Sequence, residues 1–230
     1  MVELSARGPE PVIVAARADM LASLALHNLF VACGFAANVA RAENEYAGKP
    51  LGVFWEEVLH NALGVAALTV TFLDSLANEL AYEGSVLAPR RGGPVPVPDS
   101  GAMVEGVLQK YSTALTIHAG KRLDYEAPAV RNADALIRLR NEVMRPRSDW
   151  TVGDKISHDA LAEALRDRFA PSTLVSDTSL LPRAWASYSF AKWAIRTSVE
   201  FVDYIYGELG ETSPLESVRP RLAGLCRAAL

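Results

Sequence analysis

The sequence predicts an all-α fold, an antiparallel helical bundle with two long N-terminal helices and a long C-terminal one. Three observations predict it. Apolar residues recur at helical spacing along most of the chain, no stretch alternates with period two, and glycine or proline falls at the ends of the periodic segments. With 230 residues, half of them apolar, the chain can bury one substantial core. The boundaries expected are an N-terminal tail over 1–16, the bundle over 17–210, and a tail over 211–230 holding one or two amphipathic turns.

A first helix is predicted over about residues 17–46, stopped by Gly48 and Pro50. A second, over about 53–83, takes Gly84 as its C-terminal cap. At 1.5 Å per residue each is roughly 45 Å long, which suits an antiparallel hairpin at the centre of a bundle. Residues 88–101 cannot be helix or central strand, because Pro94, Pro96 and Pro98 recur at every second position, so an exposed loop is expected there. Its Arg90 and Arg91 read as a solvated pair. A shorter helix over 102–119 closes at Gly120, and Pro128 opens the next. Ser157 is the expected N-cap of a short helix over 158–169. The last long helix carries Ala184, Tyr188, Ala191, Ile195, Val199, Val202, Tyr206 and Leu209 on one stripe, with Gly210 beyond it and Lys192, Arg196 and Glu200 on the wet side.

Charge bounds the function. A balance of 23 basic against 27 acidic residues excludes broad, nonspecific nucleic-acid binding and leaves room for a small basic site. Cys33 and Cys226 lie far apart with no ligand spacing around them, and they read as free thiols in a reducing compartment. The first residues are too polar and proline-broken for a secretory signal, so a cytoplasmic location is expected. The uncharged run 20–40 has the length of a membrane span, yet His27, Asn28 and Asn38 interrupt it and small residues dominate it; no membrane association is expected.

No phosphate-binding glycine loop, nucleophile elbow or His-Glu-x-x-His occurs. His27, His60, His118 and His158 are scattered singly; His27 and His60, on apolar helices, read as packed or capping side chains. The Glu-x-x-His arrangement of di-iron bundles appears once, as Glu57 to His60, where a di-metal site takes two copies; no metal or cofactor is expected.

Leu136 to Asp149 is the most informative stretch. Leu136, Ile137, Val143 and Met144 recur at helical spacing, and Arg140 lies among them, so its guanidinium starts from the core side. Pro146 ends the helix near Arg145, which gathers Arg140, Asn141, Arg145 and Arg147 around a helix terminus. Arg138 and Glu142 read as a surface pair. Arg140 is either a structural arginine received by a carboxylate across the bundle, with Asp74, Asn78 and Glu79 as candidate acceptors, or part of an anion site.

Three segments together resemble the HEPN superfamily of helical domains: Thr71 to Leu80, Ala135 to Pro146, and the closing helix from Leu181 through Trp193 and Arg196 to Asp203. The second is similar to the family's Arg-Asn-x-x-x-His signature, with Arg140 and Asn141 at its first two positions and Arg145 at the histidine position. The resemblance implies a bundle that pairs about a two-fold axis as a homodimer. It also implies either a metal-independent endoribonuclease of toxin or defence type, whose catalytic positions are Arg140 and Asn141, or a noncatalytic module binding RNA, a nucleotide or a protein partner such as a cognate antitoxin. A guanidinium that stays protonated cannot act as general base near neutral pH, so Arg145 removes the acid–base role. The expectation is therefore a catalytically degenerate domain that binds through Arg140, Asn141, Arg145 and Arg147, beside the alternatives of an active ribonuclease with a substituted base and a purely structural interaction protein.

Overall fold

The structure, a computed structural model, describes residues 10–82, 106–144, 155–176 and 179–225. Helices α1 (Glu10–Glu45) and α2 (Phe54–Tyr82) form an antiparallel hairpin, followed by α3 (Val107–Ala119), α4 (Pro128–Met144), α5 (Lys155–Leu165), α6 (Tyr188–Leu209) and α7 (Arg219–Leu225). Among the described residues there is no strand. The fold is an all-α bundle. Its axis is α6, which packs on α1, α2, α3 and α4.

The hairpin register is fixed by side chains across its seam. Asn38 and Asn61 hydrogen-bond at 3.0 Å, Arg41 pairs with Glu57 and Glu45, and the Phe35 ring lies where any Cβ on Gly64 would stand. Below that seam Leu29, Cys33, Val39, Val58, Val65, Phe72 and Leu73 enter the core. The stretches Leu24–Glu45 and Phe54–Leu80 are long and apolar enough to cross a membrane by length and composition, and 39% and 44% of their windows are buried within the bundle.

Sequence and structure agree closely on α2 and α4, and differ where tertiary packing overrides local signals. Helix α1 begins at Glu10 rather than near residue 17. Residues 102–105, the loop 88–101 and Gly84 lie outside the described residues. Gly120 and Gly210 end α3 and α6 in the left-handed region, at φ 64° and 73°, where a side chain would be strained; their N–H groups close the last helical turns.

Helix α5 starts at Lys155, so Ser157 lies inside it rather than capping it. It ends at Leu165, because Asp167 turns the chain at φ 61° and sends Phe169 against Phe190 and Trp193. Helix α6 starts four residues after Ala184. Ala184 belongs to a separate π-type turn, Leu180–Ala184, in which Leu181 leaves helical geometry and Trp185 Nε1 donates to the Pro182 carbonyl at 2.9 Å. The cap of α6 is Ser187, whose hydroxyl accepts from the Phe190 N–H.

The single stripe read for α6 understates it. Phe190, Trp193, Ala194, Thr197, Ser198, Phe201 and Ile205 are buried as well, since a central helix has neighbours on several sides. The segment after Gly210 joins the core too: Leu215 and Leu222 are fully buried, and α7 lies against α1.

One chemical reading is overturned. Cys33 is disulfide-bonded and not a free thiol, while Cys226 lies outside the described residues. That removes the thiol argument for a reducing compartment.

Candidate functional site

Helix α4 begins with proline, whose missing N–H costs nothing in a first turn, and buries Val130, Ala133, Leu136 and Leu139 against α2 and α6. This places the stripe slightly differently from the sequence reading. Leu139 takes a core position, and Met144 is 47% exposed. Arg140, next to Leu139, therefore sits at the edge of the buried stripe, half-buried and engaged by a partner. Its burial reaches into the head group, since Nε is sealed from solvent.

Asn141, one residue on, is exposed. About 100° of helix rotation separates the two, so Arg140 faces the seam and Asn141 faces water. Arg145 and Arg147 lie outside the described residues. Arg138 pairs with Asp134 one turn earlier, at 3.8 Å. Arg131, Arg138 and Asn141 follow one another on the outer face of α4. Arg168 is near its start, its ionisation made easier to lose by burial and then by the charge of Arg131.

A second polar constellation went unpredicted. Lys110 on α3 is 7% exposed, and its Nζ donates to Asp74 Oδ1 at 2.7 Å and Asn78 Oδ1 at 2.8 Å. Asp74 and Asn78, which the sequence offered to Arg140 together with Glu79, receive Lys110. Beside it the Tyr111 hydroxyl donates to the Leu73 carbonyl at 2.8 Å. Burial holds the Tyr111 phenol well above its ordinary range, and burial, then the Glu79 charge, pushes Tyr206 up to about 12. Both phenols stay neutral in the folded protein at physiological pH. The signal was present: Val107, Lys110 and Ala114 share a helix face, with Asp74 and Asn78 four apart on α2.

Among the described side chains, no histidine is placed as a base at α4. His118 Nε2 is 3.1 Å from the Leu80 carbonyl, which requires that nitrogen to carry the proton, and Nδ1 is sealed with no hydrogen-bond partner. Its cleft, about 760 Å³, is built from residues 116–121 and 207–210 and includes no residue of α4. The side chain of His158 lies outside the described residues. His27 and His60 are exposed rather than packed, His27 meeting only the edge of Phe30 one turn on along the same helix. Glu57 is spent on Arg41, and among the described residues no three His, Cys, Asp or Glu groups converge as a metal site would require.

At the opposite end of α6, Glu43 accepts the Tyr188 N–H and the Ser172 hydroxyl, the latter at 3.3 Å. Burial raises its carboxyl pKa, and the two hydrogen bonds only partly restore it.

Fold and geometry define the class: a helical bundle with a half-buried arginine near the end of one helix and a buried lysine between two others. No protein-family model, curated protein or solved structure matches this chain.

Proposed function

We propose that this chain is a catalytically degenerate HEPN-like domain, acting as a homodimer, that binds RNA or a nucleotide phosphate through Arg140 and Asn141, with Arg145 and Arg147 completing the cluster. The observation that carries the reading is the placement of Arg140. Its aliphatic stem is anchored at the edge of the core one turn before the helix ends at Met144, and its Nε is sealed from solvent. Asn141 adds an exposed amide, and Arg131 and Arg138 extend basic character along the same helix. A forked guanidinium matches phosphate oxygens in two bonds at once. Because His118 faces another cleft, the reading assigns binding rather than cleavage to the cluster.

The test is RNA binding by the purified protein and by an Arg140→Ala, Arg145→Ala variant with unchanged circular dichroism, across a salt series. Removing each phosphate contact lowers the salt slope by about one and weakens binding about equally across sequences. Unchanged affinity and slope overturn the reading. Cleavage of an RNA pool in EDTA, lost in Arg140→Ala, replaces it with the endoribonuclease.

A further inference from the structure

The start of α4 sets an exposed aromatic ring beside two arginines that repel one another. Tyr125 lies three residues before the helix and is 50% exposed. Arg131, one turn in, reaches back toward it, with Nη1 standing 3.8 Å from the carboxylate of Glu126, the neighbour of Tyr125. Side chains of a helix lean toward its N-terminus, so ring and guanidinium occupy one end of α4.

Arg168, three residues past the end of α5, meets the field of Arg131. Its Nε donates to the Ala164 carbonyl, and its terminal nitrogens have no acceptor among the described residues. Burial, then the charge of Arg131, lowers its pKa, and Asp134 offsets only part of this. An anion shared by two such groups would relieve their repulsion. The carboxylates nearby supply little of that. Asp124 is held by the Glu126 N–H at 2.9 Å, while Glu126 and Asp134 stand 3.8 Å from Arg131 and Arg138 with exposed side chains. Loose surface pairs of this kind are weak and exchange readily for another anion.

Arg138 lies seven residues beyond Arg131, about 10 Å along the helix and about 20° round it, and Asn141 follows one turn later. All three are exposed. They lead from Tyr125 to the opposite end of α4.

We propose that the outer face of α4 carries a track for single-stranded RNA, in which Arg131 and Arg168 clamp a backbone phosphate and Tyr125 stacks on a base. Resting on the RNA-binding reading of Arg140 and Asn141, this gives the ligand class of that site as an unpaired strand. A ring open to solvent receives only a base that has left its stack, because a paired base is covered on both faces by its neighbours. A duplex offers phosphates to the arginines and nothing to Tyr125.

The test is binding of a labelled mixed-sequence RNA oligonucleotide, and of the same strand annealed to its complement, by the full chain across a salt series. Wild type should prefer the single strand by about tenfold or more. Tyr125→Leu keeps bulk without a π face and should weaken single-strand binding by about fivefold or more, with Tyr125→Phe close to wild type. Arg131→Gln should lower the single-strand salt slope by about 0.7, the value for one phosphate. Arg168→Gln, at a half-buried position, should do the same, and the exposed Arg131 decides alone if that variant fails to fold. Equal affinity for the two forms, single-strand binding unmoved by Tyr125→Leu, or a salt slope unmoved by Arg131→Gln each overturn the track. The parent reading survives that result if Arg140→Ala, Arg145→Ala still weakens binding. A wild-type protein that binds neither form overturns both.

Discussion

Replacing Lys110 by methionine isolates the charge of the buried constellation while keeping most of its apolar stem. The ammonium is nearly sealed, and both of its observed acceptors are on α2, at 2.7 and 2.8 Å. Removing one member of a fully buried pair costs about 3–5 kcal/mol, because the other charge is stranded. Here the stranded group is Asp74, whose side chain is 40% exposed, so water replaces much of what it loses. What remains is two charge-assisted hydrogen bonds, offset by the desolvation that the ammonium no longer suffers, which leaves about 1–2 kcal/mol. For a chain of this size that lowers Tm by roughly 3–6 °C. Lys110→Ala also gives up the buried methylenes, at about 0.8 kcal/mol each, and falls further, by about 3–4 kcal/mol in all. Urea titration of both variants, with a double-mutant cycle against Asp74→Asn, reads these values directly. A Lys110→Met protein as stable as wild type, with no coupling to Asp74, would refute the reasoning. The α2–α3 contact would then rest on Tyr111 and apolar packing alone.

Other expectations follow from the same geometry. Glu43 has its carboxyl pKa raised in the folded state, so the native protein holds a proton that the unfolded chain releases from about pH 4.5 upward. Stability is lost as pH rises through the folded pKa, and Glu43→Gln, which keeps an acceptor without the charge, should gain in urea midpoint relative to wild type at pH 7 but not at pH 4. The reverse pattern would show that capping of α6 outweighs burial. Tyr206 should ionise near pH 12 in an ultraviolet titration of the folded protein. Since unfolded tyrosine ionises near 10, stability should fall between about pH 10 and 12, and less steeply in Tyr206→Phe. An ordinary titration of every tyrosine near 10 in the folded state contradicts the burial assigned to α6. Leu136→Ala, at a fully buried position of α4, should cost about 2–5 kcal/mol in denaturant unfolding, whereas Met144→Ala should stay within about 0.5 kcal/mol. Equal costs would mean that the buried face of α4 is wrongly placed.

Helix existence was legible because it depends on local pattern: Pro128, Gly120 and Gly210 mark their boundaries through backbone geometry that no distant contact changes. What lay beyond the sequence depends on neighbours. The all-round burial of α6 follows from its central place, and a stripe can be read only for a helix with one buried side. The early end of α5 follows from an aromatic cluster of Phe169, Phe190 and Trp193 whose members are more than twenty residues apart at the extremes. The burial of Leu222 could not be read either, since the helical spacing of Leu215, Val218, Leu222 and Leu225 marks an amphipathic turn without naming the helix that receives it.

The site was half legible for a related reason. A cation on an apolar helix face shows that something must receive it, but not what. Sequence offered Asp74, Asn78 and Glu79 to Arg140, and the structure shows Lys110, whose identical signal lay in the preceding helix, reaching the first two. The two cations differ in depth. Lys110 is enclosed, so its charge is answered within the protein and its role is to join α2 to α3. Arg140 is half-buried one turn before the end of α4 and engaged by a partner, and a guanidinium has five donors on a planar fork. Depth therefore marks Lys110 as a bond that holds the bundle together, while the proposed function makes Arg140 the group that meets a ligand. If stability responds to Lys110→Met and phosphate affinity responds only to Arg140→Ala, the two roles divide as their burial implies. If Arg140→Ala instead lowers stability by as much as Lys110→Met and leaves RNA binding untouched, both cations belong to the scaffold, and the structural reading of the chain prevails.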